Sequence, residues 1–306
     1  VLAELIAAAA MWQSDPALPV ARSEVAGASW RGYAAVVGGY LADGQSSTRV
    51  DVYNPRARQW LHLPDLPLAV NHAMAAAGGA RLYVFGGYGA GGARRDAFVL
   101  DGPRWRRLPS MPFARAAGGA AFVHNTVYVV GGIGPFGLAR STLAYDVRRQ
   151  RWRTLPAPRP LREHLGVTVL GGRVYVVGGR ANGQLFPTVQ RWRPQRQRWE
   201  LLAPLPEPRG GTAAGSAAGM VISAGAESSA GTSPAVYAYT PRTNRWRRLP
   251  DLPTPRHGLA VVGIGAVVHV IGGGPQPGLT VSSANESLQL TGTPAERRSR
   301  LDRRKR

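Results

Sequence analysis

Cysteine is absent from the 306 residues. That excludes disulfides, cysteine-ligated metal and any thiol nucleophile. Lysine is nearly absent too, since Lys305 stands alone and every other basic residue is arginine or histidine. Helical periodicity is almost missing, because Gly and Pro interrupt the chain every few residues. Acid is scarce: 17 Asp+Glu face 38 Lys+Arg, a formal net charge of +21. Such a field favours anionic partners and repels cations. Abundant Ala, Gly, Pro and Arg resembles the product of a GC-rich bacterial genome, so part of this charge is compositional. The stretch from Gly258 to Asn285 carries no formal charge and could suggest a membrane span. Gly263, Gly265 and Gly272 to Gly274 break it where turns are needed, so it reads as two strands and a loop. No transmembrane segment is expected.

What the chain does have is a period. Glycine pairs stand at Gly38-Gly39, Gly86-Gly87, Gly131-Gly132, Gly178-Gly179 and Gly272-Gly273, with Ala224-Gly225 filling the remaining slot at spacings of 48, 45, 47, 46 and 48. Trp12, Trp60, Trp105, Trp152, Trp199 and Trp246 recur at 48, 45, 47, 47 and 47. Two residue types keeping one period of this length point to propeller blades or solenoid repeats. Four strands fit each period. In one repeat these are Gly118 to Val123, Thr126 to Val130, Thr142 to Tyr145 and a last strand carrying Trp152, with tight turns at His124-Asn125 and Asp146 to Gln150. Four short antiparallel strands make a blade. Glycine permits positive φ and close backbone approach where inner strands crowd the axis, and the indoles are expected to pack between blades.

The order Tyr-Val-x-Gly-Gly, Tyr-Asp/Asn-Pro, Trp, Leu-Pro resembles the Kelch repeat. Its best copies are Leu82 to Gly87, Val174 to Gly179, and Val52-Tyr53-Asn54-Pro55 through Trp60. The resemblance covers about residues 12 to 290 and implies an all-β, six-bladed Kelch-type β-propeller with four antiparallel strands per blade. The Trp series starts before the Gly series, and the last repeat lacks a Trp. The N-terminal strand is therefore expected to close the ring, which removes exposed sheet edges. The organisation expected is an N-terminal lead (1–10), a propeller (11–290) and a basic tail (291–306). Val1 to Ala10 is apolar apart from Glu4 but lacks the basic start of a signal sequence; with it goes a leaning to an extracytoplasmic location. The tail from Arg297 holds seven basic residues and one acid and reads as a solvated, disordered end.

Because strands alternate direction, the start of each first strand and the loop after each Gly pair share one face. On that face the strand openers read Arg22, Asn71, Arg115, Arg162, Arg209 and Arg256, with Glu24, His72, Glu163, His164 and His257 nearby. The post-glycine loops add Arg94, Arg95, Arg140, Arg180, Tyr40, Tyr88, Phe136 and Phe186. Arginine forks suit carboxylate or phosphate, and aromatic faces suit sugars or apolar side chains. The expectation is an anion-binding channel mouth formed by those openers with Arg180, Tyr40 and Tyr88, set against arginines that are part of the repeat and bond the carbonyls of the next blade. The opposite rim carries a basic crown from Arg56 to Arg245. It has neither recognition helix nor ordered aromatic platform, so nucleic acid is not the expected partner.

The resemblance implies a non-catalytic binding propeller, acting as a monomer on an acidic protein segment or an anionic glycan. Kelch domains that bind acidic peptides use arginines at similar places. Some Kelch-like propellers are enzymes. Galactose oxidase needs a Tyr cross-linked to Cys, which this chain cannot form. Sialate mutarotases give the alternative, with Glu163, His164, Glu227 and His257 as candidate acid or base groups and Arg162 and Arg209 for a sugar carboxylate. No cofactor is implied. With six histidines, and no close pair beyond His164 beside Glu163, no metal site is expected.

Overall fold

The structure, a computed structural model, describes residues 11–290; the lead and the basic tail lie outside the described residues. Six four-stranded antiparallel sheets follow one another. Blade 1 is Ala26–Trp30, Tyr33–Val37, Val50–Asn54 and Gln59–Leu63. Blades 2 to 5 begin at Met74, Gly119, Gly166 and Ala213, and blade 6 at Ala260. Blade 6 takes its outermost strand from the other end of the chain. Trp12–Ser14 pairs antiparallel with Asn285–Gln289, placing Trp12 opposite Leu288. The ring is closed as its two offset series require.

Burial explains the strand composition. The second strands do not alternate in and out. Val127, Val129 and Val130 are fully buried and Tyr128 nearly so, because both faces of an inner strand pack on neighbouring blades. A strand covered on both sides reads as a continuous run of β-formers. The outermost strands are largely exposed, as in Gln59–Leu63. The core divides into six apolar clusters, one at each interface between blades, including the one that joins blade 6 to blade 1 through Val262, Ile271, Val36 and Tyr53.

Each repeating tryptophan ties its blade to the one before. The indole N–H groups of Trp60, Trp105, Trp152, Trp199 and Trp246 donate to the carbonyls of Pro16, Pro64, Pro109, Pro156 and Ala203 at 2.7–2.9 Å. Trp12 does the same across the chain ends, donating to Pro250 at 3.0 Å.

The Gly pairs make a second set of ties. The N–H of the second member donates to the carbonyl of the next blade's strand opener: Gly87 to Arg115, Gly132 to Arg162, Gly179 to Arg209, and Gly273 to Arg22 across the seam. A Cβ on Gly86 would meet the Arg115 carbonyl oxygen at 2.2 Å, so close approach as well as positive φ requires glycine. In blade 5 the donor to Arg256 is Ala226. The degenerate pair is therefore Gly225-Ala226, one residue later than the motif reading, which puts the pair on the same spacings as the Trp series.

Candidate functional site

The five arginines expected at the mouth lie inside the blades. Arg22, Arg115, Arg162, Arg209 and Arg256 are 0–2% exposed. Arg22 donates to the carbonyls of Gly38 and Arg49 at 2.9 and 3.0 Å and to Asp51 at 2.5 Å. Arg162 holds the carbonyls of Gly178 and Pro160 and the Gln190 side chain. Arg256 holds Gly272, Thr254 and Val270 carbonyls together with the Glu286 carboxylate at 2.7 Å. Arg115 donates to Val129 and Arg209 to Ala235 and Glu207. The carbonyls held belong to the arginine's own blade, not the next. Burial lowers Arg115 and Arg162 to about 10, which leaves the guanidinium charged at neutral pH. Arginine's rigid fork suits such carbonyl clusters, and a buried charge must be met this way.

Asn71 is not the sixth member of that series. Bridge partners fix the register: Asn71 pairs Tyr88 as Ser23 pairs Tyr40 and Glu163 pairs Arg180. The opener's slot in blade 2 is Val70, which is 4% exposed and lies at the 48- and 45-residue spacings from Arg22 and Arg115. Asn71 instead orients a histidine: its side-chain oxygen accepts from His72 Nδ1 at 2.6 Å while its amide nitrogen donates to Ser46.

Two residues after the opener slot, each blade adopts the left-handed conformation. Glu24, His72, Ala117, His164, Gly211 and Gly258 have φ between 49° and 66°. Their peptides link around the axis. His72 N–H donates to Glu24, Ala117 to His72, His164 to Ala117, Gly211 to His164 and Gly258 to Gly211 at 2.7–3.1 Å, and Val25 N–H bridges the seam to Gly258 at 3.2 Å. This ring of peptides narrows the channel mouth. The ring residues, Glu24, His72 and His164 among them, line a small chamber of about 100 Å3 whose other walls are mostly alanines, glycines and valines.

The side chains rising from this ring and its neighbours form a closed polar cycle. His72 Nε2 lies 3.2 Å from Glu24 and 3.0 Å from His164 Nε2. His164 Nδ1 meets Glu163, Glu163 receives Arg180 at 2.9 Å, and Arg180 reaches Glu227 at 2.6 Å. Glu227 and Glu24 then both face His257 Nδ1, at 3.4 and 3.2 Å. Tyr40 and Tyr88 stand edge-on to His72, with ring centroids 5.7 and 5.5 Å away. The residues named for catalysis, Glu163, His164, Glu227 and His257, are thus brought together with Arg180, Tyr40 and Tyr88. Arg162 and Arg209, needed for a sugar carboxylate, are turned away. Glu24 and His72 belong to the cycle as fully as His164. The repeat position two residues beyond the opener is the sequence signal that selects all three.

The centre of the mouth is therefore rich in carboxylates, with three glutamates against one guanidinium, rather than lined by arginine. Burial pushes His72 down to about 4. Burial would raise Glu24, but the hydrogen bond from His257 Nδ1 helps hold its carboxylate below the usual range. Burial lowers His257 less than Glu24 and Glu227 raise it, so it sits above an ordinary histidine.

A second feature of the same face lies off the axis. Between blades 2 and 3, a cleft of about 770 Å3 is walled by Pro112, Phe113, Pro135, Phe136 and Leu138, with Arg95 and Arg140 at its edges. Phe136 is 95% exposed and Phe113 55%.

Residues 105–273 match the KLHDC2/KLHL20/DRC7 Kelch-repeats domain, and residues 21–67 match the Kelch motif. A search of curated proteins finds no match to the chain. No helix among the described residues is long and apolar enough to cross a membrane.

Proposed function

Because this chain belongs to the Kelch-repeat family, whose propellers serve as protein-interaction scaffolds, we propose that it is a non-catalytic binding propeller whose ligand is an acidic protein segment with an apolar anchor. The segment seats in the cleft between blades 2 and 3. One observation carries this reading: two large aromatic side chains, Phe113 and Phe136, stand open to solvent in one cleft edged by Arg95 and Arg140. Exposed aromatics in a pocket with arginine at its border are the composition of interaction hot spots. The net charge of +21 speeds the approach of an acidic partner. The buried strand openers contribute by holding the blades that present the cleft.

The test is fluorescence anisotropy with labelled peptides of alternating Glu and Leu, a Lys-for-Glu version, and a sulfated glycan in parallel. The acidic peptide should bind, weaken as salt is raised, and lose about tenfold or more in affinity with Phe136→Ser or Arg140→Ser. Binding that survives both substitutions, or a glycan that alone responds to them, defeats the proposal.

A further inference from the structure

The contact between His72 and His164 raises a problem of proton placement. Their Nε2 atoms face each other at 3.0 Å. The other nitrogen of each ring is committed: His72 Nδ1 lies against the Asn71 carbonyl oxygen, whose amide end is engaged by Ser46, and His164 Nδ1 lies against the Glu163 carboxylate. Both partners are acceptors, so both Nδ1 atoms carry the proton. With both rings neutral, the two Nε2 lone pairs then face one small space, with a Glu24 oxygen 3.2 and 3.9 Å from them, and no proton lies between the three atoms.

We propose that Glu24, His72 and His164 bind a divalent transition-metal ion of the zinc class. The three atoms are 3.0, 3.2 and 3.9 Å apart, separations that straddle the roughly 3.3–3.6 Å between neighbouring ligands of a tetrahedral zinc with bonds of about 2.0–2.2 Å. A cation there resolves the facing lone pairs. Asn71 and Glu163 then act as outer partners, fixing the tautomer of each ligand ring as metal-bound histidines require. Ala117, Gly211 and Gly258 project no long side chain, which leaves a face of the ion open to the small chamber. The nearby triad of Glu24, Glu227 and His257 differs. His257 Nε2 donates to the Gln276 carbonyl, and its Nδ1 stands between the two carboxylates at 3.2 and 3.4 Å, where a proton on the ring can face both.

The experiment uses the tag-free 306-residue chain, treated with chelator and titrated with zinc chloride, with bound metal counted by mass spectrometry and affinity read by calorimetry. One zinc per chain is expected. His164→Ala and Glu24→Gln should weaken binding about 100-fold or more, and Asn71→Ala about 10- to 100-fold, while His62→Ala has no effect. Cobalt(II) added to the unsubstituted chain should give ligand-field absorption of a four-coordinate nitrogen–oxygen site, a readout that needs no variant to fold. Absence of stoichiometric zinc, or zinc held equally well by folded His164→Ala, overturns the proposal.

Discussion

A guanidinium is chosen for its fork as often as for its charge. The strand-opening arginines spend their donors on backbone carbonyls, and they leave the mouth to glutamate and histidine. Where arginine does meet carboxylate near the surface, the effect is smaller and titratable. Glu200 is held down to about 2 by hydrogen bonds from Arg193 and then Arg191. Its pKa in the fold is below its unfolded value. The stability it contributes is complete above pH 4.5 and disappears as pH falls from there toward 2. Because the pair is partly open to water, the contribution is below about 1 kcal/mol. Glu200→Gln should therefore lower neutral-pH stability by up to about 1 kcal/mol, leave stability near pH 2 unchanged, and so flatten the acid limb between pH 4.5 and 2. A steeper acid limb in the variant would show that the pairing is wrongly assigned.

The blade is the element at which the sequence is most readable. Four strands, their turns and the closing role of Trp12 follow from two offset residue series, because each series marks a contact that every blade must repeat. Register was less readable. Blade 2 puts Val70 in the slot where the other blades put arginine, so matching by polarity selects Asn71, and only its bridge to Tyr88 corrects this. In the same way Gly225-Ala226 was masked by an alanine that keeps the inter-blade hydrogen bond without a second glycine. The closing strand invites a direct prediction. Trp12 donates to Pro250 and packs on the cluster joining blades 5 and 6. Trp12→Ala should cost about 2–4 kcal/mol in denaturant unfolding, with hydrogen exchange rising first in Asn285–Gln289. Protection loss spread evenly over all blades would argue against a seam at this strand.

At the scale of the molecule, the candidate site is a product of closure. His72 and His164 are 92 residues apart and Glu24 belongs to a third blade, so no local motif announces them. What the sequence could not supply was the inward turn of the arginines. An arginine in a loop before a strand is compatible with either direction, and the choice is made by the carbonyls that the Gly pair and the third strand leave within reach. Buried arginines hold blades; in the proposed function it is the mouth-face cleft that meets the ligand. The measurement that tests this most directly is thermal unfolding of Arg162→Met and Arg256→Met with and without an acidic Glu–Leu peptide. Both variants should melt lower without ligand. Arg256→Met should cost about 3–5 kcal/mol, because Glu286 is left buried and unpaired. Each folded variant should keep the ligand-induced rise in Tm. Variants that melt like the parent but no longer respond to the peptide would mean that these arginines are the binding site.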